Sequence, residues 1–130
     1  MTKIKDLKKE LDSLVRKTLI HTANKTSKGY IKCPLTNKYL LPEYMDVCHY
    51  IDRKWLGTRW DLNNCFLCSR NSNQYESQLK SEGFKSVHHE KFEAYLGKEK
   101  IAELENKKNK NYSLLELIEL RDCLLKKLES

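Results

Sequence analysis

Between Tyr30 and Ile51 no apolar run is long enough to make a helix, because Pro34, Asn37 and Pro42 interrupt it. Proline has a fixed φ and no N–H to continue a backbone ladder, and asparagine tolerates turn conformations that most side chains avoid. The stretch "YIKCPLTNKYLLPEYMDVCHYI" is therefore expected to fold as short strands and turns, the β-hairpin region of the chain. Its surroundings have a different period. Ile4, Leu7, Leu11 and Leu14 recur at helical spacing, with Val15 and Leu19 widening the stripe, so residues 3–21 read as an amphipathic helix that "NKTSKG" ends. Downstream, "HEKFEAYLGKEKIAELENKKN" carries Phe92, Tyr95, Leu96, Ile101 and Leu104 on a helical pattern that Gly97 can break. After the polar turn "KKNKN", Ser113 and Glu116 form a capping-box pattern ahead of "LLELIELRDCLLKKL", whose Leu114, Leu117, Ile118, Leu124, Leu125 and Leu128 make a broad apolar face. That face packs either on the chain's own core or on a second copy. At 130 residues the chain is expected to be one α+β domain.

Charge is unevenly distributed. The formal net charge is +7, and residues 1–32 hold nine Lys or Arg against three acids, whereas residues 81–130 hold ten of each. No acid lies between Asp12 and Glu43, while Arg16, Lys17, Lys25, Lys28, Lys32 and Lys38 all do. Such a stretch suits a phosphate backbone, since each neutralised phosphate releases condensed counterions; a solvated lysine-rich surface has the same composition. No apolar run approaches the roughly 20 residues that span a bilayer, and the first residues are amphipathic, so a soluble, intracellular protein is expected.

Five cysteines, Cys33, Cys48, Cys65, Cys68 and Cys123, form an odd set without an export signal, which favours reduced thiols or metal ligands over a disulfide framework. "WLGTRWDLNN" reads as a loop around Gly57, after which Asn63 or Asn64 would cap a short helix carrying Cys65 and Cys68. The order of these features is a cysteine before the hairpin, His49 after a turn, then Asn63 and Cys68. A ββα-metal nuclease requires this order: a hairpin histidine activates water, an asparagine orients the histidine, and a divalent ion stabilises the phosphate oxygens and the leaving group.

"DVCHYIDRKWLGTRWDLNNCFLC" is similar to the central motif of the phage recombination proteins called NinG or Rap, an HNH-like group. That family runs Asp-Ala-Gly-His-Tyr, then Arg, then Arg-Trp/Phe-Asp, then Asn-x-His-x-Gln-Cys-x-x-Cys-Asn. Asp46, His49, Tyr50, Arg53, Arg59, Trp60, Asp61, Asn63 and Cys68 fall on the pattern. The likeness extends outward through the basic leading helix, the cysteine before the hairpin and a helical tail from near Tyr75, but only the middle third is specific.

The resemblance implies an α+β fold with a small ββα-metal (HNH-like) core at 30–80, flanked by a basic helical arm at 1–29 and a C-terminal helical hairpin in the tail at 81–130. It implies a metal-dependent endonuclease of branched DNA, such as Holliday junctions and D-loops, acting in the cytoplasm of a phage-infected host. His49 would be the general base and Asn63 its orienting partner. Asp46 and Asn73 would hold a catalytic Mg²⁺ or Mn²⁺, with Ser72 an alternative to Asn73. Arg16, Lys17, Lys28, Lys32, Arg53, Lys54, Arg59 and Trp60 would contact DNA through phosphates and through stacking on unpaired bases. Trp55 and Trp60 equally suit a core. His88 and His89 read as the start of a surface helix.

Departures from the family bear on chemistry. Thr36 and Asn71 stand where two zinc-knuckle cysteines belong, so a structural Zn²⁺ would have to rely on a degenerate set of Cys33, Cys65 and Cys68, with Cys48 a further candidate. Cys48 replaces a glycine beside His49, and Cys65 replaces a histidine. The alternative is thus a non-catalytic DNA-binding module, double-stranded or branched DNA being the partner in either case, with a homodimer through the last helix a further expectation.

Overall fold

A computed structural model describes residues 3–74 and 89–130. Helix α1 spans Ile4–Thr22 and is followed by strands β1 (Ile31–Lys32) and β2 (Tyr39–Leu40), a 3₁₀ turn at Pro42–Tyr44, and β3 (Met45–His49). Next come the short helix α2 (Leu56–Arg59), a second 3₁₀ turn (Leu62–Asn64) and β4 (Cys65–Ser69). Helix α3 begins at residue 70 and is described as far as residue 74. The chain ends in α4 (His89–Leu96), α5 (Lys98–Lys107) and α6 (Leu114–Glu129). The architecture is α+β, as expected. The expected tail start near Tyr75, the 80/81 boundary and His88 lie outside the described residues.

Two small antiparallel sheets replace the single expected hairpin: β1 pairs with β2, and β3 pairs with β4. The β1–β2 turn closes through Cys33 N–H to the Lys38 carbonyl and Asn37 N–H to the Cys33 carbonyl, both 2.8 Å. Asn37 occupies the left-handed region at φ 62°, which asparagine tolerates. Strands β3 and β4 run Met45 against Ser69 through His49 against Cys65.

Cys65 and Cys68 therefore lie on a strand and not on the expected helix. Four successive residues, Cys65 to Cys68, are buried, so this run is covered on both faces and has no helical stripe to present. Nor does Asn63 or Asn64 act as the cap: the Asp61 carboxylate accepts the Asn63 N–H at 2.8 Å and shapes the 3₁₀ turn that feeds β4.

Leu7, Leu11, Leu14 and Val15 of α1 pack with Trp60, Cys65, Leu117 and Leu124 in one core cluster. Full burial of each such leucine contributes about 1.5–3 kcal/mol. The capping box of α6 is present: Ser113 Oγ accepts the Glu116 N–H at 3.2 Å and Glu116 Oε1 accepts the Ser113 N–H at 3.1 Å. Helix α6 lies along α1 in parallel, since Arg121 meets Glu10 at 3.9 Å and His21 Nε2 meets the Ser130 carbonyl at 2.7 Å. This corrects the expected helical hairpin: α5 packs on α2 and the Leu62–Asn64 turn, while α6 closes the core against α1. Leu117 and Leu124 are buried within the chain, whereas Leu114, Leu115 and Leu125 are exposed.

Gly57 sits where loop and helix touch. Its N–H donates to the Lys108 carbonyl at 3.2 Å, its own carbonyl accepts the Tyr112 hydroxyl at 3.1 Å, and a Cβ here would lie 1.8 Å from the Lys107 carbonyl oxygen. No helix among the described residues is long and apolar enough to cross a membrane.

Candidate functional site

His49 ends β3, and its Nε2 lies 3.0 Å from the Arg59 carbonyl oxygen. A carbonyl only accepts, so Nε2 carries the proton and Nδ1 is the basic nitrogen. Burial lowers the imidazole pKa below its ordinary 6.5, the Arg53 and Arg59 charges add to this, and the Arg59 carbonyl and Asp12 pull the other way. The ring is neutral at pH 7. Among the described residues, a backbone carbonyl orients it, and not the amide of Asn63.

Asn63 is exposed, and its neighbour Asn64 is fully buried. Asn64 Oδ1 accepts the Ile51 N–H at 2.7 Å, and Nδ2 donates to the Ile51 and Thr58 carbonyls at 3.0 and 3.1 Å. One amide thereby clamps residues 50–64, the loop that joins the two strands and brings Arg59 to His49. Two adjacent asparagines look alike in a sequence, and only the entry angle of β4 decides which one turns inward.

Asp12, a residue that sequence reasoning passed over, organises the basic loop from α1. Its carboxylate accepts Arg59 Nε at 3.0 Å, Arg59 Nη2 at 2.6 Å, Trp60 Nε1 at 2.8 Å and Arg53 Nη2 at 3.3 Å. Burial pushes this carboxyl up, but the hydrogen bonds from Arg59 and Trp60 and the charges of Arg59 and Arg53 outweigh it and hold the pKa below the ordinary 3.8. The available signal was Asp12's position beside the apolar stripe, as the last acid before the acid-free stretch.

The expected DNA-contacting residues separate accordingly. Trp60 is 2 % exposed and belongs to the core, 6.1 Å from the Tyr112 ring, so it presents no face to a base. Arg59 is largely buried, whereas Arg53 and Lys54 are exposed. Arg16 points inward and donates to the Met45 and Pro42 carbonyls at 2.6 and 2.7 Å, which anchors the start of β3 to α1. Lys17, Lys28 and Lys32 remain exposed, with Lys25 and Lys38 beside them in sequence and exposure.

Asp46 and Asn73 do come together: Asn73 Nδ2 donates to Asp46 Oδ2 at 3.3 Å. However, Asp46 Oδ1 is paired with Arg70 Nε at 3.2 Å, and Asn73 Oδ1 lies 3.2 Å from Cys48 Sγ. The alternative ligand, Ser72, bonds its hydroxyl to that of Ser69 at 2.8 Å. A guanidinium already neutralises the one carboxylate, so this donor set does not fit a divalent cation, which prefers several free oxygens. Side chains alternate along a strand, and three residues separate Asp46 from His49, so the two project from opposite faces of β3. His49 faces the Asp12–Arg59 network, and Asp46 faces Arg70 and Asn73.

The same alternation divides the proposed zinc ligands. Cys65 lies in the cluster with α1, while Cys33 and Cys68 lie in the other cluster with Cys48. Cys48 and Cys68 are joined by a disulfide across β3 and β4, with Cα atoms 6.1 Å apart, which corrects the expectation of reduced thiols throughout; Cys33, Cys65 and Cys123 are free. Burial raises the Cys33 thiol pKa, but the Thr36 hydroxyl and the N–H groups of Ser69, Thr36 and Leu35 outweigh it and bring the value below the ordinary one. Burial, with the charges of Asp61 and Asp12, pushes the Cys65 thiol well up. Thr36, at a position where the resemblance would put a cysteine, thus acts as a hydrogen-bond donor to Cys33. Among the described residues no group of three or more His, Cys, Asp or Glu is arranged to hold a metal ion. Comparison with protein-family models, with curated proteins and with solved structures finds no match to this chain.

Proposed function

We propose that this chain is a DNA-binding module that keeps the order of an HNH-like hairpin without one assembled nuclease centre. The observation that carries the reading is the separation of His49 from the Asp46–Asn73 pair on opposite faces of β3. A base must lie within hydrogen-bond reach of the water it activates, next to the ion that stabilises the phosphate, and these residues do not converge. The exposed lysines of the acid-free stretch, Lys17, Lys25, Lys28, Lys32 and Lys38, support backbone binding. The resemblance to NinG and Rap proteins makes branched DNA the first substrate to try, in the setting of phage recombination.

The endonuclease reading is favoured by a different observation. β3 and β4 form an antiparallel pair that leads directly into helix α3, and His49 is neutral with its proton held on Nε2. The deciding experiment uses a labelled four-way junction and a linear duplex of matching sequence, with Mg²⁺ or Mn²⁺. Salt-dependent binding without cutting, unchanged in His49→Gln and weakened in Lys28→Glu with Lys32→Glu, is expected. Junction cutting that disappears in His49→Gln overturns the binding-module reading in favour of the nuclease.

A further inference from the structure

Behind the β1–β2 hairpin an open groove of about 840 Å³ runs between the end of α1, β4 and the α4–α5 junction. Among the described residues that line it, none is acidic. Lys32 and Lys100 supply cations, Asn24, Asn37 and Asn63 supply amides, and apolar side chains of α1, β1 and β4 form the floor. Tyr95 stands at its edge, 65 % exposed, with its ring 5.9 Å from that of Phe66.

We propose that this groove binds one unpaired strand of nucleic acid, its phosphates on Lys32 and Lys100 and a base against Tyr95. The inference rests on the DNA-binding reading and names the part of the substrate that the groove takes. Its volume is that of pockets that hold ligands of a few rings, the scale of one or two nucleotides and far below that of a duplex turn. Two cations in a lining whose described residues include no acid favour a polyanion, although Glu99 and Glu103 flank Lys100 along α5. Amides offer both donors and acceptors to base edges, and an exposed ring on a rigid support is a stacking platform for any base. Lys32 belongs both to the groove and to the acid-free lysine stretch, so the groove adjoins the most basic part of the sequence. Asn63 acquires a role here: it is a groove residue, with its side chain in solvent and not on His49.

Two labelled probes test the proposal by fluorescence anisotropy at two salt concentrations: an oligothymidylate and a closed hairpin duplex without overhangs. The variants are Tyr95→Ala and the pair Lys32→Ala with Lys100→Ala, all at exposed positions, with thermal melts confirming that each folds. The wild-type chain is expected to bind oligothymidylate; Tyr95→Ala weakens this at least fivefold and the double lysine variant at least tenfold, while Tyr95→Ala leaves duplex affinity within twofold. Oligothymidylate affinity unchanged in both variants overturns the groove as the site and leaves the DNA-binding reading intact, as does a wild-type chain that binds the duplex alone. A wild-type chain that binds neither probe nor the four-way junction overturns both.

Discussion

The Trp60 indole N–H donates to Asp12 Oδ1 at 2.8 Å across 48 residues of chain. This bond fixes the loop that carries Arg53 and Arg59 onto α1, because the same carboxylate also accepts both guanidinium groups. A run that resembles an exposed cationic and aromatic contact surface is in large part the internal fastening of the fold.

Replacing Asp12 therefore costs stability. Asp12→Ala leaves the Arg59 guanidinium and the Trp60 N–H without their acceptor, and the expected loss is about 2–3 kcal/mol, moderated because Asp12 remains a third exposed. Arg53→Ala, at a side chain 62 % exposed, is expected to cost under about 1 kcal/mol. Urea denaturation compares the two, and equal costs would contradict the arrangement.

Acid should destabilise the protein in two stages. The folded pKa values of His49 and Asp12 both lie below their ordinary values of 6.5 and 3.8, so in both cases the unfolded chain binds protons more readily. Stability from His49 is present above pH 6.5 and is lost as pH falls through its folded value; that from Asp12 is lost in the same direction below 3.8. His49→Gln is expected to flatten the stability profile as pH falls below 6.5 and leave the lower stage in place. An unchanged upper stage, measured by urea midpoint against pH, would refute the assignment.

Asn64 and Asn63 should behave in opposite ways. Asn64→Ala removes three buried hydrogen bonds that hold residues 50–64, for an expected loss of about 3 kcal/mol or more, while Asn63→Ala costs under about 0.5 kcal/mol. Asn63→Ala should weaken oligothymidylate binding without moving the melting temperature, and thermal melts together with anisotropy measure both effects.

Gly57→Ala forces a methyl group against the Lys107 carbonyl oxygen, a backbone atom that cannot rotate away. The loop and the end of α5 must separate, at an expected cost of about 3 kcal/mol. Loss of the Gly57–Lys108 bond should appear as faster amide exchange at Gly57. A melting temperature equal to that of the wild type would rule out this close approach.

Thiol titration of the denatured chain without reductant is expected to find three of the five cysteines, and all five after reduction. Cys48→Ser should lower stability by about 3 kcal/mol, from the 20-residue separation that the bond closes. Five titratable thiols before reduction would show that the strands are not crosslinked.

Periodicity and capping carried the long helices of the fold, while the four-residue α2 at Leu56–Arg59, read as a loop, is too short to show a period. The stripe from Ile4 to Leu19, the break at Gly97 and the Ser113–Glu116 capping box were legible because each depends on residues within a turn or two of one another. The run from Cys65 to Cys68 was not, since a short segment buried on both faces has no period to read, and its identity as a strand depends on pairing with Met45 to His49. Chain order likewise brought His49, Asp46 and Asn73 into one candidate site, whereas a three-residue offset on a pleated strand sends His49 and Asp46 to opposite faces.

Local sequence thus determined the long helices α1, α5 and α6, the α+β class and the acid-free basic stretch, because propensity, capping and charge are properties of near neighbours. Tertiary structure alone decided that Asp12 captures Arg59 and Trp60, that Asn64 and not Asn63 faces inward, that Cys48 meets Cys68, and that lysines far apart in the chain border one groove. Each of these depends on which elements pack together, and packing is set by burial over the whole chain and not by any short motif.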